Sequence, residues 1–172
     1  MAVGLNETEK KKAKEAFLGI GVCEELAEAA ADLGWKAPSE IQAQSIPQAL
    51  QGKDVIGLAQ TGSGKTGAFA LPILQELLDS PQAFFALVLS PPRELAIPIA
   101  EQFEALGAGL GVKTATPVGG IDLLSQRTAL GKRPHVGVRP PGRVVAHRTT
   151  TQGCGLTPPE ELCHEEAGRW RH

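Results

Sequence analysis

The chain has 172 residues, 42% apolar and 21% charged, which is room for one domain with a buried core. Its 17 basic and 19 acidic side chains give a formal net charge of -2 and exclude a strongly basic nucleic-acid coat protein. Five Phe, two Trp and no Tyr leave few rings on which a base could stack.

No apolar run approaches the roughly 20 residues of a membrane span, and Met1 to Phe17 is too polar for a secretory signal. Cys23, Cys154 and Cys163 are odd in number and widely spaced, which fits a reducing compartment without disulfides. The run Lys10, Lys11, Lys12, Lys14 reads as the solvated face of a helix start, with a localisation patch as the alternative.

In chain order, residues 23–33 are helical by composition and stop at Gly34. Ser39, following Pro38, is placed as the N-cap of a helix over 39–50. Asp54 to Ala59 (DVIGLA) predicts a short buried strand, and 64–79 a helix with Leu71, Leu74, Leu77 and Leu78 on one side. Phe84 to Leu89 predicts a second strand and 93–107 a helix with Pro98 inside it, where a proline typically costs ~3 kcal/mol. Val112 to Val118 follows as a third strand, 121–130 as another helix, and His135 to Val138 as a weak fourth strand. Strands alternating with helices of this length predict βαβ units, hence an α/β fold with a parallel sheet.

Residues 1–130 are net acidic, whereas 131–172 are net basic, rich in Pro and Gly, and hold all four His. His147, Cys154, Cys163 and His164 are metal-capable types, but their spacings match no common zinc pattern.

The strongest local signal is Ala59-Gln60-Thr61-Gly62-Ser63-Gly64-Lys65-Thr66, which ends a predicted strand and opens a predicted helix. Gly62 and Gly64 let backbone N–H groups curl around phosphate oxygens, and the helix N-terminus adds favourable dipole charge. Lys65 is suited to the β- and γ-phosphates, and the Thr66 hydroxyl to a Mg²⁺ ion. The competing reading is a glycine-rich turn without a ligand. The loop implies a nucleoside triphosphate without choosing between kinase, GTPase, motor and helicase.

Gly34-Trp35-Lys36-Ala37-Pro38-Ser39-Glu40-Ile41-Gln42 resembles the Q motif of DEAD-box RNA helicases, with Phe17 upstream where that family places an isolated aromatic. Gln60 to Thr66 is similar to the family's P-loop, and Pro91-Pro92-Arg93-Glu94-Leu95-Ala96 to its PTRELA motif. Gly119-Gly120 resembles its glycine doublet, and Pro140-Pro141-Gly142-Arg143 its TPGR motif, in the same order and spacing over about residues 15–145. GLAQTGSGKTGAFALPIL and EQFEALG most resemble the nucleolar, ribosomal-RNA-processing branch. The resemblance implies that Gln42 bonds an adenine edge, that Trp35 and Phe17 pack around the base, and that Ala59 to Thr66 hold the phosphates. It further implies that Arg93, Gly119, Gly120, Gly142 and Arg143 contact RNA backbone rather than bases.

The sequence departs from the family where Pro92 and Pro140 replace threonines, each losing a hydroxyl and a backbone N–H. The family's DEAD position falls on Glu165-Glu166-Ala167-Gly168. Glu165 would take the place of the Mg²⁺-holding aspartate and Glu166 that of the carboxylate that orients or activates water. Their alternative is a pair of solvated charges. The preceding Pro158-Pro159-Glu160-Glu161-Leu162-Cys163-His164 disfavours a central strand.

The expectation is therefore a P-loop NTPase of α/β class, with a RecA-like parallel sheet and flanking helices, incomplete at the C-terminus. Residues 1–14 form a polar extension, 15–145 the helicase ATP-binding domain with its Q motif at 15–43, and 146–172 a degenerate tail for which disorder is one reading. The function implied is the ATP- and RNA-binding N-terminal domain of an ATP-dependent RNA helicase, with Lys65 and Glu166 catalytic, ATP and Mg²⁺ as cofactors, and no unwinding by this chain alone. The implied setting is the nucleus or nucleolus among ribosome-biogenesis proteins. The alternatives are an adenine-nucleotide-binding remnant without turnover, an interaction-only remnant, and another P-loop class such as a kinase.

Overall fold

Asn6 and Glu9 start the first helix by closing a reciprocal capping box: Asn6 Oδ1 accepts from the Glu9 N–H at 2.9 Å, and Glu9 Oε2 from the Asn6 N–H at 3.0 Å. The computed structural model describes residues 5–90, 93–115, 133–139 and 161–164. They divide into two compact units, one of Met1–Ser80 with Gln102–Gly111, the other of Pro81–Glu101 with Val112–His172.

The first unit is helical. Helix α1 (Glu7–Leu18) packs on α2 (Glu24–Asp32), burying Ala13 and Phe17 against a face that carries Leu26, Ala27, Ala30 and Ala31. These positions recur at three- and four-residue intervals, so each helix turns one stripe inward. Lys10 pairs with Asp32 at 2.7 Å, and Lys14 with Glu24 at 2.8 Å and Glu28 at 3.2 Å. Half of the basic run thus faces acidic side chains of α2, while Lys11 and Lys12 are exposed.

Helix α3 (Glu40–Ala49) follows the Ser39 cap, and α4 (Lys65–Asp79) packs on it. Leu71, Leu74 and Leu77 of α4 are buried and Leu78 is half-buried. Gln75 ties α4 to the α1–α2 turn, accepting the Cys23 N–H at 2.8 Å and donating to the Gly21 carbonyl at 3.1 Å.

The second unit is a parallel four-stranded sheet. Its strands are β1 (Ala86–Leu89), β2 (Thr114–Ala115), β3 (Val136–Arg139) and β4 (Glu161–His164), in spatial order β2-β3-β1-β4. Ala86 is in register with Val136 on one side and Glu161 on the other, and Leu89 with Arg139 and His164. Helix α5 (Arg93–Leu106) opens shortly after β1 and runs through Pro98, whose exposed ring lies on the solvent side while Ala96, Ile99 and Ala100 are buried. Among the described residues, no helix is long and apolar enough to cross a membrane.

Several expectations are corrected here. Asp54 to Ala59 is not a strand: Val55 is 42%, Ile56 90% and Leu58 87% exposed. Apolar, β-branched composition makes a strand only where a neighbour takes its backbone groups, and among the described residues no strand pairs with this segment. The tail is not wholly structureless, because Glu161–His164 pairs in parallel with β1. Pro158 and Pro159 precede that strand, and β4 lies at the edge of the described sheet, where polar residues are tolerated. The proposed extension over 1–14 is not separate, because α1 begins at Glu7 and continues through Phe17. Of the strand expected over 112–118, Thr114–Ala115 is formed; the helix expected over 121–130 lies outside the described residues.

Candidate nucleotide site

The loop before α4 turns through two glycines with left-handed backbone, Gly62 (φ +79°) and Gly64 (φ +90°). The Ser63 N–H donates to the Gln60 carbonyl at 3.3 Å within the turn, and Gly64 is the N-cap of α4. Glycine has no side chain to cap with, so the first-turn N–H groups of Lys65, Thr66 and Gly67 keep no side-chain acceptor from the cap. A fifteen-residue helix then presents its positive end at that point. Lys65 and Thr66 are half-buried beside it, as is Ala59, while Gln60, Thr61 and Gly62 are exposed.

Gln42 reaches this loop from α3. It is 4% exposed, its Oε1 accepts the Ser39 N–H at 2.9 Å, and its Nε2 donates to the Gly64 carbonyl at 3.0 Å. A methyl group on Gly64 would lie 2.7 Å from Ser39 Oγ and 2.8 Å from Gln42 Nε2; one on Gly67 would lie 2.5 Å from Trp35 Cη2 and 2.6 Å from Gln42 Nε2. The carboxamide is therefore wedged between two Cα atoms that tolerate no Cβ. Trp35 is half-buried, and behind it Phe17 is wholly buried, with ring centroids 6.0 Å apart at 41°. In this conformation Phe17 offers no face to a base.

The Oγ of Ser63 is buried without a hydrogen-bond partner, while the Ser39 side chain faces the Gln42 N–H in the capping box of α3. An orphaned hydroxyl beside uncapped amides, with the half-buried Lys65 ammonium and Thr66 hydroxyl next in the chain, forms a donor-rich set that fits polyphosphate oxygens. Gln42 was expected to bond an adenine edge; one donor and one acceptor are used internally, and one of each remains. Gly67 was not singled out from sequence. Its signal was available: a glycine in a first helical turn, where alanine has the better propensity by ~1 kcal/mol.

In the second unit, β1, β3 and β4 end in register at Leu89, Arg139 and His164. Immediately beyond these ends the chain reads Ser90-Pro91-Pro92-Arg93, Pro140-Pro141-Gly142-Arg143 and Glu165-Glu166. The carboxyl ends of adjacent parallel strands are where ligands bind in open α/β sheets. Arg93 is the first residue of α5. Gly119, Gly120, Gly142, Arg143, Glu165 and Glu166 lie outside the described residues.

A glycine-rich loop opening a helix, in a chain that also builds a parallel α/β sheet, defines a P-loop nucleotide-binding protein. A family model described as DEAD/DEAH box helicase matches residues 39–160, and the chain belongs to that family. It is 53% identical over 163 residues to a putative ATP-dependent RNA helicase of Caenorhabditis elegans, covering 95% of this chain and 33% of the relative. It is 55% identical over 155 residues to the probable ATP-dependent RNA helicase DDX47 of Homo sapiens, covering 90% and 34%. With the ATP-dependent rRNA helicase rrp3 of Aspergillus fumigatus it shares 52% over 162 residues, covering 94% and 34%. Among solved structures it resembles a DEAD box protein from the hyperthermophile Methanococcus jannaschii, with TM-score 0.72 and 32% identity over 80% of this chain and 38% of that one. The RNA helicase Prp28 from Chaetomium thermophilum, solved bound to ADP, matches with TM-score 0.69 and 28% identity over 84% and 43%. The fold is that of a RecA-like helicase domain, and the chain spans about a third of the length of the curated relatives it matches.

Proposed function

We propose that this chain is the ATP- and RNA-binding N-terminal domain of an rRNA-processing DEAD-box helicase. The observation that carries the reading is the Gly62–Gly64 loop at the uncapped start of α4, braced by Gln42. Lys65 and the first-turn amides would hold the β- and γ-phosphates, while the free donor and acceptor of Gln42 would favour adenine over guanine. Thr66 and Glu165 would hold Mg²⁺, which when bound neutralises charge on the phosphates. Glu166 would orient or activate water. Arg93, Gly119, Gly120, Gly142 and Arg143 would take RNA phosphates without reading bases. The relatives named as rRNA helicases support a ribosomal-RNA substrate, a nucleolar site of action and ribosome-biogenesis partners. Unwinding is assigned to the longer architecture of the relatives, not to these residues alone.

Fluorescent ATP titrated into the 172-residue chain tests the reading. The expected result is saturable binding that GTP competes poorly and that Lys65→Ala weakens at least tenfold. Equal binding by wild type and Lys65→Ala would refute it. Glu165-Glu166-Ala167-Gly168 in place of the family's DEAD favours a second reading, binding without turnover. Phosphate release that disappears in Glu166→Gln decides for hydrolysis; none in wild type decides for binding alone.

A further inference from the structure

We infer that Trp35 and Gly67 are a size-matched pair that positions the first turn of α4, and with it Lys65 and Thr66, for a nucleotide. The inference rests on the nucleotide reading above.

A Cβ on Gly67 would lie 2.5 Å from Trp35 Cη2 and 2.7 Å from Cζ3, distances that real Cβ atoms do not tolerate. Either the indole or the helix turn would have to move. The indole is backed by the ring of Phe17, itself wholly buried. The Trp35 backbone is fixed as well, its N–H donating to the Ala30 carbonyl at 3.0 Å beyond the left-handed turn at Gly34. The load would therefore fall on the first turn of α4.

That turn carries Lys65 and Thr66 and follows the Gly64 carbonyl to which Gln42 is bonded. Gln42 Nε2 lies 2.6 Å from the same absent Cβ, so one small residue admits both the indole and the carboxamide. A glycine here costs helix stability of about 1 kcal/mol relative to alanine. Close approach explains its presence, since the open-space glycines of this chain, such as Gly52, meet no neighbour. Trp35 and Gly67 are positioning residues: they act on the phosphates through the placement of Lys65 and the first-turn amides.

The pair predicts coupling. Trp35→Phe removes the benzo ring that carries Cη2 and Cζ3, leaving space above Gly67. In fluorescent-ATP titrations of the full chain, Trp35→Phe should weaken binding about three- to tenfold. Gly67→Ala alone should weaken binding at least tenfold, or fail to fold. In the Trp35→Phe background the same change should cost clearly less affinity, because only the contact with Gln42 Nε2 then remains. Thermal melts on each variant separate placement from stability, because the quantity compared is affinity. If Gly67→Ala lowers affinity by as large a factor in the Trp35→Phe background as in wild type, or fails to fold in both, the pair is overturned while the nucleotide reading stands. If wild type binds no nucleotide, both fall.

Discussion

Gln42 Nε2 lies 3.0 Å from the Gly64 carbonyl oxygen, while its Oε1 accepts the Ser39 N–H at 2.9 Å. One buried carboxamide thus joins the cap of α3 to the turn that opens α4. The Q-motif glutamine is a structural brace of the phosphate loop in addition to any part in base recognition.

Gln42→Glu separates these parts. Glutamate keeps an acceptor for Ser39 but loses the donor to Gly64 and sets a carboxyl oxygen against a carbonyl. Leaving buried polar groups mispaired costs about 1–3 kcal/mol. The urea unfolding midpoint should fall accordingly even without nucleotide. An unchanged midpoint would show that the brace carries no stability.

The two left-handed glycines should respond unequally. At Gly62 a Cβ meets nothing within 4 Å, so Gly62→Ala incurs mainly the left-handed backbone cost of about 1–2 kcal/mol. At Gly64 the same backbone cost is joined by contacts at 2.7 and 2.8 Å with Ser39 Oγ and Gln42 Nε2. Gly64→Ala should be clearly the more destabilised in urea titration and should lose the brace. Equal losses would mean that the loop relaxes around the extra carbon.

Much of the helical structure was legible because its signals are local. The helix expected over 39–50 forms as Glu40–Ala49, started by its Ser39 cap, and that over 64–79 as Lys65–Asp79, marked by its apolar stripe. The start of α1 was partly legible: the lysine run reads as the solvated face of a helix start, which α1 bears out, and Asn6 and Glu9 have capping-box spacing, although the polarity of residues 1–14 suggested a separate extension. Strands were harder, because a strand is a property of a pair. DVIGLA has strand composition and takes no partner among the described residues, whereas Glu161-Leu162-Cys163-His164 has little and joins β1. The Trp35–Gly67 contact was hidden for a similar reason: it joins residues far apart in the chain, and nothing local marks that glycine except the better helix propensity of alanine.

His135 links the starts of two paired strands and should make the sheet acid-sensitive. Its Nδ1 accepts the Lys113 N–H at 3.1 Å, and its own N–H donates to the Lys113 carbonyl at 2.8 Å. Burial first, then the nearby Lys113 charge, holds its pKa below the ordinary 6.5. The folded state therefore favours the neutral ring. Its contribution is complete above the unfolded value and is lost as pH falls below about 6.5 and on through the lower folded value. Thermal midpoints of wild type should drop between pH 7 and 5. His135→Asn, whose Oδ1 can accept the same bond without titrating, should show a shallower drop. Parallel curves for the two chains would refute the assignment.

The exposed run at 54–59 leads to the remaining prediction. Val55, Ile56 and Leu58 stand in solvent, and among the described residues this stretch takes no strand partner. A short β-branched segment with free amides and no proline is a template for pairing with another chain. Ile56→Lys places a charge at a position 90% exposed, so it should leave the urea unfolding free energy within about 0.5 kcal/mol of wild type. The same substitution should lower concentration-dependent association measured by sedimentation or light scattering. Burying an unpaired lysine costs several kcal/mol or more. A large loss of stability in Ile56→Lys would therefore show that 54–59 is a buried strand after all.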